Sequence, residues 1–185
     1  IGAGGGSVAW LENGALRVGP RSAGADPGPA CYGKGGDEPT VTDANLYLGR
    51  LGKGSKLGGW MDLNLNASKS VLDNLSKKLN ISATELAEGI LSIINAKMAD
   101  AIRTITVKEG IDPREFSLVA FGGAGSMHAV WLAEELEINE ITVPNDPGTF
   151  SAWGMLQTDI RRDLTVNFYQ NFQSLEKGKL LESYN

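Results

Sequence analysis

The sequence predicts a mixed α/β fold, and three local patterns carry that expectation. Residues 7–12 (SVAWLE) and 15–19 (ALRVG) flank Asn13-Gly14. Two β-favouring runs joined by Asn-Gly make a hairpin, because a type I′ turn needs positive φ at both central residues. Ser82 and Glu85 form an S-x-x-E capping box, which starts a helix by satisfying its first N–H groups. Residues 116–121 (FSLVAF) read as a buried strand running into Gly122-Gly123-Ala124-Gly125, then a helix over 127–136 and a second strand over 140–143. A strand-turn-helix-strand unit implies parallel strands with a right-handed crossover.

The remaining elements follow in order. Residues 19–39 carry Pro20, Pro27, Pro29 and Pro39 among closely spaced glycines, too much punctuation for regular structure, so they form a loop. A loop of that length inside a domain is usually functional or disordered. Its prolines and the small Ala23, Ala25 and Ala30 favour an ordered loop, since a flexible linker would be richer in Gly and Ser and more polar. Residues 41–51 (VTDANLYLGRL) predict a short helix capped by Thr42 or Asp43, and 52–59 a flexible break. Val71, Leu72, Leu75 and Leu79 stand at helical spacing within residues 67–79. The capping-box helix runs through Ile90, Ile93, Ile94, Met98, Ile102 and Ile105 to about Glu109, where Gly110 ends it. A last helix is expected over 174–185, and no fixed-period repeat is visible. Together the elements predict one mixed sheet with flanking helices.

Composition narrows the function classes. With 185 residues and 42% apolar side chains, the chain has material for one core, with a small appendage at most. A formal charge of −5 leaves no diffuse basic surface for phosphate backbones, so a nucleic-acid partner is disfavoured. The single cysteine, Cys31, excludes an internal disulfide and fits a reducing compartment, which places the chain in the cytoplasm. The longest apolar stretch, 117–133, is broken by Gly122, Gly123, Gly125 and His128, so no membrane helix is expected. Residue 1 is Ile and no targeting signal can be read. Both ends read as cut.

Two glycine runs are candidate ligand sites. Gly4-Gly5-Gly6 lets backbone N–H groups approach an anion, and Ser7 adds a hydroxyl. Gly122, Gly123 and Ala124 lie where a strand hands over to a helix, the place where ligands settle in open α/β sheets. Either run alone also fits a plain tight turn. Their order is more specific: a glycine turn opening a hairpin, a long helix, then strand-Gly-Gly-helix. That order resembles the second half of the nucleotide fold shared by actin, sugar kinases and heat-shock chaperones, a ribonuclease-H-like lobe of an actin-like ATPase. The resemblance implies that Gly4, Gly5, Gly6 and Ser7 serve phosphates and that Gly122, Gly123 and Ala124 lie under adenosine.

A sharper resemblance rests on GAGGGSVAW, SAGADPGPACYG (22–33), PTVTDANLYLGRL (39–51), VAFGGAG (119–125), His128-Ala129 and VPNDPGTFSAWGML (143–156). These segments resemble the hydantoinase A/5-oxoprolinase family, which includes N-methylhydantoinases and acetone and acetophenone carboxylase subunits. The match covers residues 1–163 as the second lobe of the family's domain, with 164–185 beginning the next segment. It implies an ATP- and Mg2+-dependent hydrolase that opens small cyclic amides of hydantoin or 5-oxoproline type by phosphoryl activation, with a companion hydantoinase B-type subunit. A ketone carboxylase subunit, or a non-catalytic assembly module of the same fold, is the alternative. Ser126 stands where the family usually carries proline, and keeps a hydroxyl for the helix N-cap. The family's acid before the position of Ile1 and its first phosphate turn are not in this sequence, so the chain alone is expected to be inactive.

The remaining chemistry-bearing residues are weighed against plainer roles. Within residues 22–33, Asp26 and Cys31 are candidates for a substrate or interface loop. Cys31 has neither a second cysteine nor a nearby histidine, so zinc spacing is missing. His128, the only histidine, reads as a packed, hydrogen-bonded side chain before it reads as a base. Asp26, Asp43 and Asp146 are hard oxygen ligands, yet loop aspartates more often cap helices, and no metal site is assigned. Trp10, Trp60, Trp131 and Trp153 are expected in core or interface, and Lys77-Lys78 and Arg161-Arg162 in solvent. A dinucleotide site is a weaker reading, because no GxGxxG with a following acid occurs.

Overall fold

The computed structural model describes residues 2–52, 54, 56–163, 165 and 178. Strand β1 (Ser7–Glu12) and strand β2 (Ala15–Ser22) form the expected antiparallel hairpin. Asn13 and Gly14 both take positive φ, 50° and 80°, as a type I′ turn requires. β2 runs three residues beyond its expected end, through Pro20. A register shift between Ser7 and Ala9 explains this, because proline is tolerated at bulges and open strand edges.

Helix α1 (Val41–Tyr47) is shorter than expected, and its cap is neither Thr42 nor Asp43. Thr40 is the N-cap, and Asp43 is the third helical residue of a capping box. The helix stops where Gly49 adopts φ +73°. The expected break after it contains a small ladder of β3 (Lys56–Leu57) and β4 (Met61–Asp62) around Gly58-Gly59, a pair whose positive φ values suit a tight hairpin.

Helix α2 (Leu65–Leu79) begins at Asn64, whose side chain accepts from the Ala67 N–H. Helix α3 (Ala83–Lys108) carries the expected Ser82–Glu85 box and ends before Gly110, at φ +68°. Its 26 residues make a rod of about 39 Å, long enough to serve two apolar clusters. Leu86, Ala87, Ile90, Leu91 and Ile94 pack with Leu72 and Leu75 of α2, Val41 and Ala44 of α1, and Ala9 and Val18 of the hairpin. Each fully buried Val, Leu or Ile side chain here contributes roughly 2 kcal/mol. Further along α3, Ala99 packs with Leu132 and Leu136.

Those two leucines belong to helix α4 (Gly125–Leu136), which connects β5 (Leu118–Val119) to β6 (Ile141–Thr142). The two strands are parallel, with Leu118 opposite Ile141. Both are shorter than expected. Phe116 is already bound to Pro113 in a 3-10 turn, and the Gly122 N–H is drawn to the Pro147 carbonyl. The expected single mixed sheet does not form among the described residues: the strands make three separate two-stranded ladders. Among the described residues, only the Val8–Thr40 bridge extends the hairpin's edge. The α4 N-cap is Ala124, without a side-chain bond, so Ser126, inside the first turn, does not cap the helix as expected.

Contacts divide the chain into two units, Ile1–Ser151 and Ala152–Asn185. Helix α5 (Phe150–Leu156) begins in the first. The helix expected over 174–185 lies outside the described residues, Gly178 apart. Lys77-Lys78 and Arg161-Arg162 are exposed as expected. Trp60, Trp131 and Trp153 are 71%, 39% and 57% exposed, so none of the three is a core residue. No described helix is long and apolar enough to cross a membrane.

Candidate functional site: two glycine turns and a buried aspartate

The first glycine turn is braced from three sides. The Ser7 hydroxyl accepts the Gly4 N–H at 3.0 Å and reaches the Gly2 carbonyl at 3.3 Å, while the Ser7 N–H returns to the Gly4 carbonyl at 3.0 Å. Gly4 and Ser7 therefore spend their donors inside the turn, and Ser7 is buried. The Gly6 carbonyl accepts the Ala23 N–H at 2.8 Å. The Gly5 carbonyl accepts twice from Thr42, from its N–H and its hydroxyl, both at 2.9 Å. Neither the Gly5 nor the Gly6 N–H donates to another described residue. A side chain at either position would have to push a neighbouring hydroxyl aside. A Cβ at Gly5 would stand 2.7 Å from the Thr42 hydroxyl, and one at Gly6 2.9 Å from that of Ser22.

The second turn meets the first. The same Cβ position at Gly5 lies 4.0 Å from the Ala124 Cβ, so two runs far apart in sequence adjoin. Gly122 takes φ +88°, a conformation that glycine adopts without strain. Gly123 faces open space, with nothing within 4 Å of a built Cβ. Beyond it the α4 N-terminus presents the unpaired N–H groups that every helix start leaves, where the helix dipole favours an anion.

Residues 22–33 are ordered around the carboxylate of Asp43, expected from sequence only as a helix cap or a hard oxygen ligand. Asp43 is fully buried and accepts five hydrogen bonds. Its Oδ1 takes the Cys31 N–H at 2.9 Å and the Ser68 hydroxyl at 2.7 Å. Its Oδ2 takes the Ala30 N–H at 3.2 Å, the Thr40 N–H at 3.0 Å and the Thr40 hydroxyl at 2.7 Å. A buried carboxylate is tolerable only when satisfied in this way. The T-x-x-D spacing of Thr40 and Asp43 was the available signal, an aspartate variant of the capping box.

Of the two candidates in that loop, Asp26 is exposed and Cys31 is buried. Burial pushes the Cys31 thiol from its ordinary 9.0 up to about 12, and the Asp43 charge acts in the same direction. Cys31 is thus a neutral packed side chain, and the thiolate is the reactive form. Two outcomes follow. Folded protein at pH 8 should react with iodoacetamide far more slowly than a peptide thiol, with full labelling in urea. An unfolded chain also ionises this thiol from about pH 9, while the folded chain keeps its proton to about 12. The unfolded state then binds fewer protons, so alkaline titration across that window should lower stability, and a Cys31→Ala variant should show a shallower fall.

His128 is buried, with Nδ1 2.7 Å from the Asn95 Oδ1. That oxygen only accepts, so Nδ1 carries the proton, and Nε2 is left without a partner. Burial, then the nearby Arg50 charge, lowers its basicity. It packs α4 against α3. Arg50 itself stacks over Trp131 at 4.1 Å, beside a cleft of about 560 Å3 that includes none of the glycine-turn residues. Asp26 and Asp146 are exposed and Asp43 is committed. Among the described residues no three His, Cys, Asp or Glu side chains are grouped to hold a metal ion.

A family model described as hydantoinase/oxoprolinase matches residues 1–164. The chain belongs to that family. It is 47% identical over 183 residues to the caprolactamase subunit alpha of Pseudomonas jessenii, covering 96% of this chain and 26% of that one. The crystal structure of the ATP-dependent caprolactamase from the same organism superposes with a TM-score of 0.79 at 47% identity, over 86% of this chain and 23% of that chain. A nucleotide-free acetone carboxylase structure superposes at 0.77 with 29% identity, over 83% and 22%. This member of the hydantoinase/oxoprolinase family therefore spans about a quarter of each of these relatives.

Proposed function

We propose that this chain supplies one side of an ATP site in an enzyme that activates a small cyclic amide by phosphoryl transfer. The supporting observation is the meeting of the two glycine turns, with the Gly5 and Gly6 N–H groups unclaimed beside Ala124 and the α4 N-terminus. Backbone donors held in place offset charge on phosphate oxygens without reorganising. In this reading Gly5 and Gly6 donate to phosphate, Gly4 and Ser7 shape their turn, and Gly122, Gly123 and Ala124 form the floor under adenosine. Residues 1–163 act as the ribonuclease-H-like lobe of an actin-like ATPase.

ATP brings Mg2+ with it, and among the described residues no three His, Cys, Asp or Glu side chains are grouped to hold it. Asp43 has both oxygens occupied, and Asp26 and Asp146 are exposed on loops. No Mg2+ ligand is assigned here. Phosphorylation of an amide oxygen makes the ring carbonyl a better electrophile, which suits hydantoin, 5-oxoproline and larger lactams alike. A hydantoinase B-type companion subunit, with Asp26 and its loop as a contact or substrate surface, completes the proposal. The likeness to acetone carboxylase supports a second reading, ATP-dependent ketone carboxylation.

ATP hydrolysis by the intact protein, with its companion subunit, separates these readings. Stimulation by 5-oxoproline, hydantoin or caprolactam is expected. Stimulation only by acetone or acetophenone with bicarbonate supports the carboxylase, and an NAD titration that quenches tryptophan fluorescence where ATP does not contradicts both. The isolated chain is expected to turn over none of these compounds.

A further inference from the structure

The corner between the loop and α1 ties three parts of the site together. Thr40 caps α1, Asp43 gathers the loop backbone at Ala30 and Cys31 and the Ser68 hydroxyl of α2, and Thr42 lies between them on the same first turn. Thr42 is nearly fully buried, and both its N–H and its hydroxyl point at the Gly5 carbonyl. The residue sits so close to the glycine turn that Gly5 cannot carry even a methyl group without pushing the hydroxyl aside. A single backbone bond would already anchor the carbonyl, and the second removes the remaining freedom to rotate the peptide.

That rotation matters for the neighbouring donor. The Gly5–Gly6 peptide is trans, so its C=O and N–H point in opposite directions. Holding the Gly5 carbonyl on Thr42 fixes the Gly6 N–H away from Thr42, and this N–H has no acceptor among the described residues. We propose that Thr42 is a positioning residue of the nucleotide site: its hydroxyl sets the orientation of the Gly5–Gly6 peptide and so aims the Gly6 N–H at a phosphate oxygen. The proposal rests on the nucleotide reading above. Thr42 itself touches no ligand. Since Asp43 is its neighbour, the same corner couples the order of residues 22–33 to the phosphate turn.

The test compares ATP, ADP and adenosine binding to the intact protein by calorimetry, for wild type, Thr42→Val and Thr42→Ser. Valine keeps the shape of threonine and its backbone N–H, and removes only the hydroxyl. Thr42→Val should weaken ATP and ADP roughly tenfold, as for one lost hydrogen bond, while adenosine stays within about twofold and Thr42→Ser restores the nucleotides. Equal weakening of all three ligands, or no change in any, overturns the role of Thr42. Wild type that binds no ATP overturns the nucleotide reading itself, and the proposal with it. Where Thr42→Val does not fold, hydrogen exchange of unaltered protein decides. The Gly6 amide must slow when ATP is added, and an unresponsive Gly6 amide overturns the proposal.

Discussion

Replacing Asp43 with alanine is expected to cost about 4 kcal/mol of stability. The carboxylate accepts from two loop N–H groups, the Thr40 N–H and two hydroxyls, all away from solvent. Removing it strands those donors where water cannot reach them, which costs far more than the net value of the bonds themselves. Asp43→Asn should fall between, because its one oxygen can replace Oδ1 or Oδ2 but not both, and its amide hydrogens face donors. Urea unfolding at neutral pH measures the loss. Because Asp43 organises residues 30 and 31, iodoacetamide labelling of Cys31 should accelerate in the alanine variant under native conditions. An Asp43→Ala protein within about 1 kcal/mol of wild type, with Cys31 still protected, would contradict the role given to this corner.

Gly123→Val should abolish measurable ATP binding, a loss of a hundredfold or more on the order of 3 kcal/mol, while leaving the thermal midpoint close to wild type. Two observations make this a clean substitution. Gly123 does not need positive φ, and a Cβ there meets nothing within 4 Å, so a side chain disturbs no packing and occupies only the open space over the turn. Gly5→Val is the contrasting case, since a side chain there strikes the Thr42 hydroxyl and should lower stability and binding together. Calorimetry with ATP on the folded Gly123→Val protein gives the answer. Unchanged affinity would make the second turn a strand-to-helix joint with no ligand above it.

What the sequence made legible was local. Asn13-Gly14, the Ser82–Glu85 box and the 118–142 parallel unit each depend on residues adjacent or three apart, or on one apolar run and one glycine run. The glycine turns were visible for the same reason, as was the order in residues 22–33. The hub at Asp43 was not. Its partners lie three, twelve, thirteen and twenty-five residues away, and nothing in sequence says that Ser68 will face it. The length of α1 and the cap at Thr40 were lost to the competing Thr42 and Asp43, each an acceptable N-cap by type. Cys31 could be doubted for want of partners, but its burial follows from the loop folding over Asp43. The separate ladders escaped notice because strand propensity does not say which strands pair.

The two glycine turns are proposed to form one nucleotide site. Hydrogen exchange of the intact protein with and without ATP tests it most directly, because it reads the backbone N–H groups assigned to the ligand. Slowed exchange is expected at Gly5 and Gly6 and, in the same titration, at residues 123–126, with the Arg50–Trp131 cleft unaffected. Slowing at one turn alone, or in the cleft and at neither turn, would contradict it.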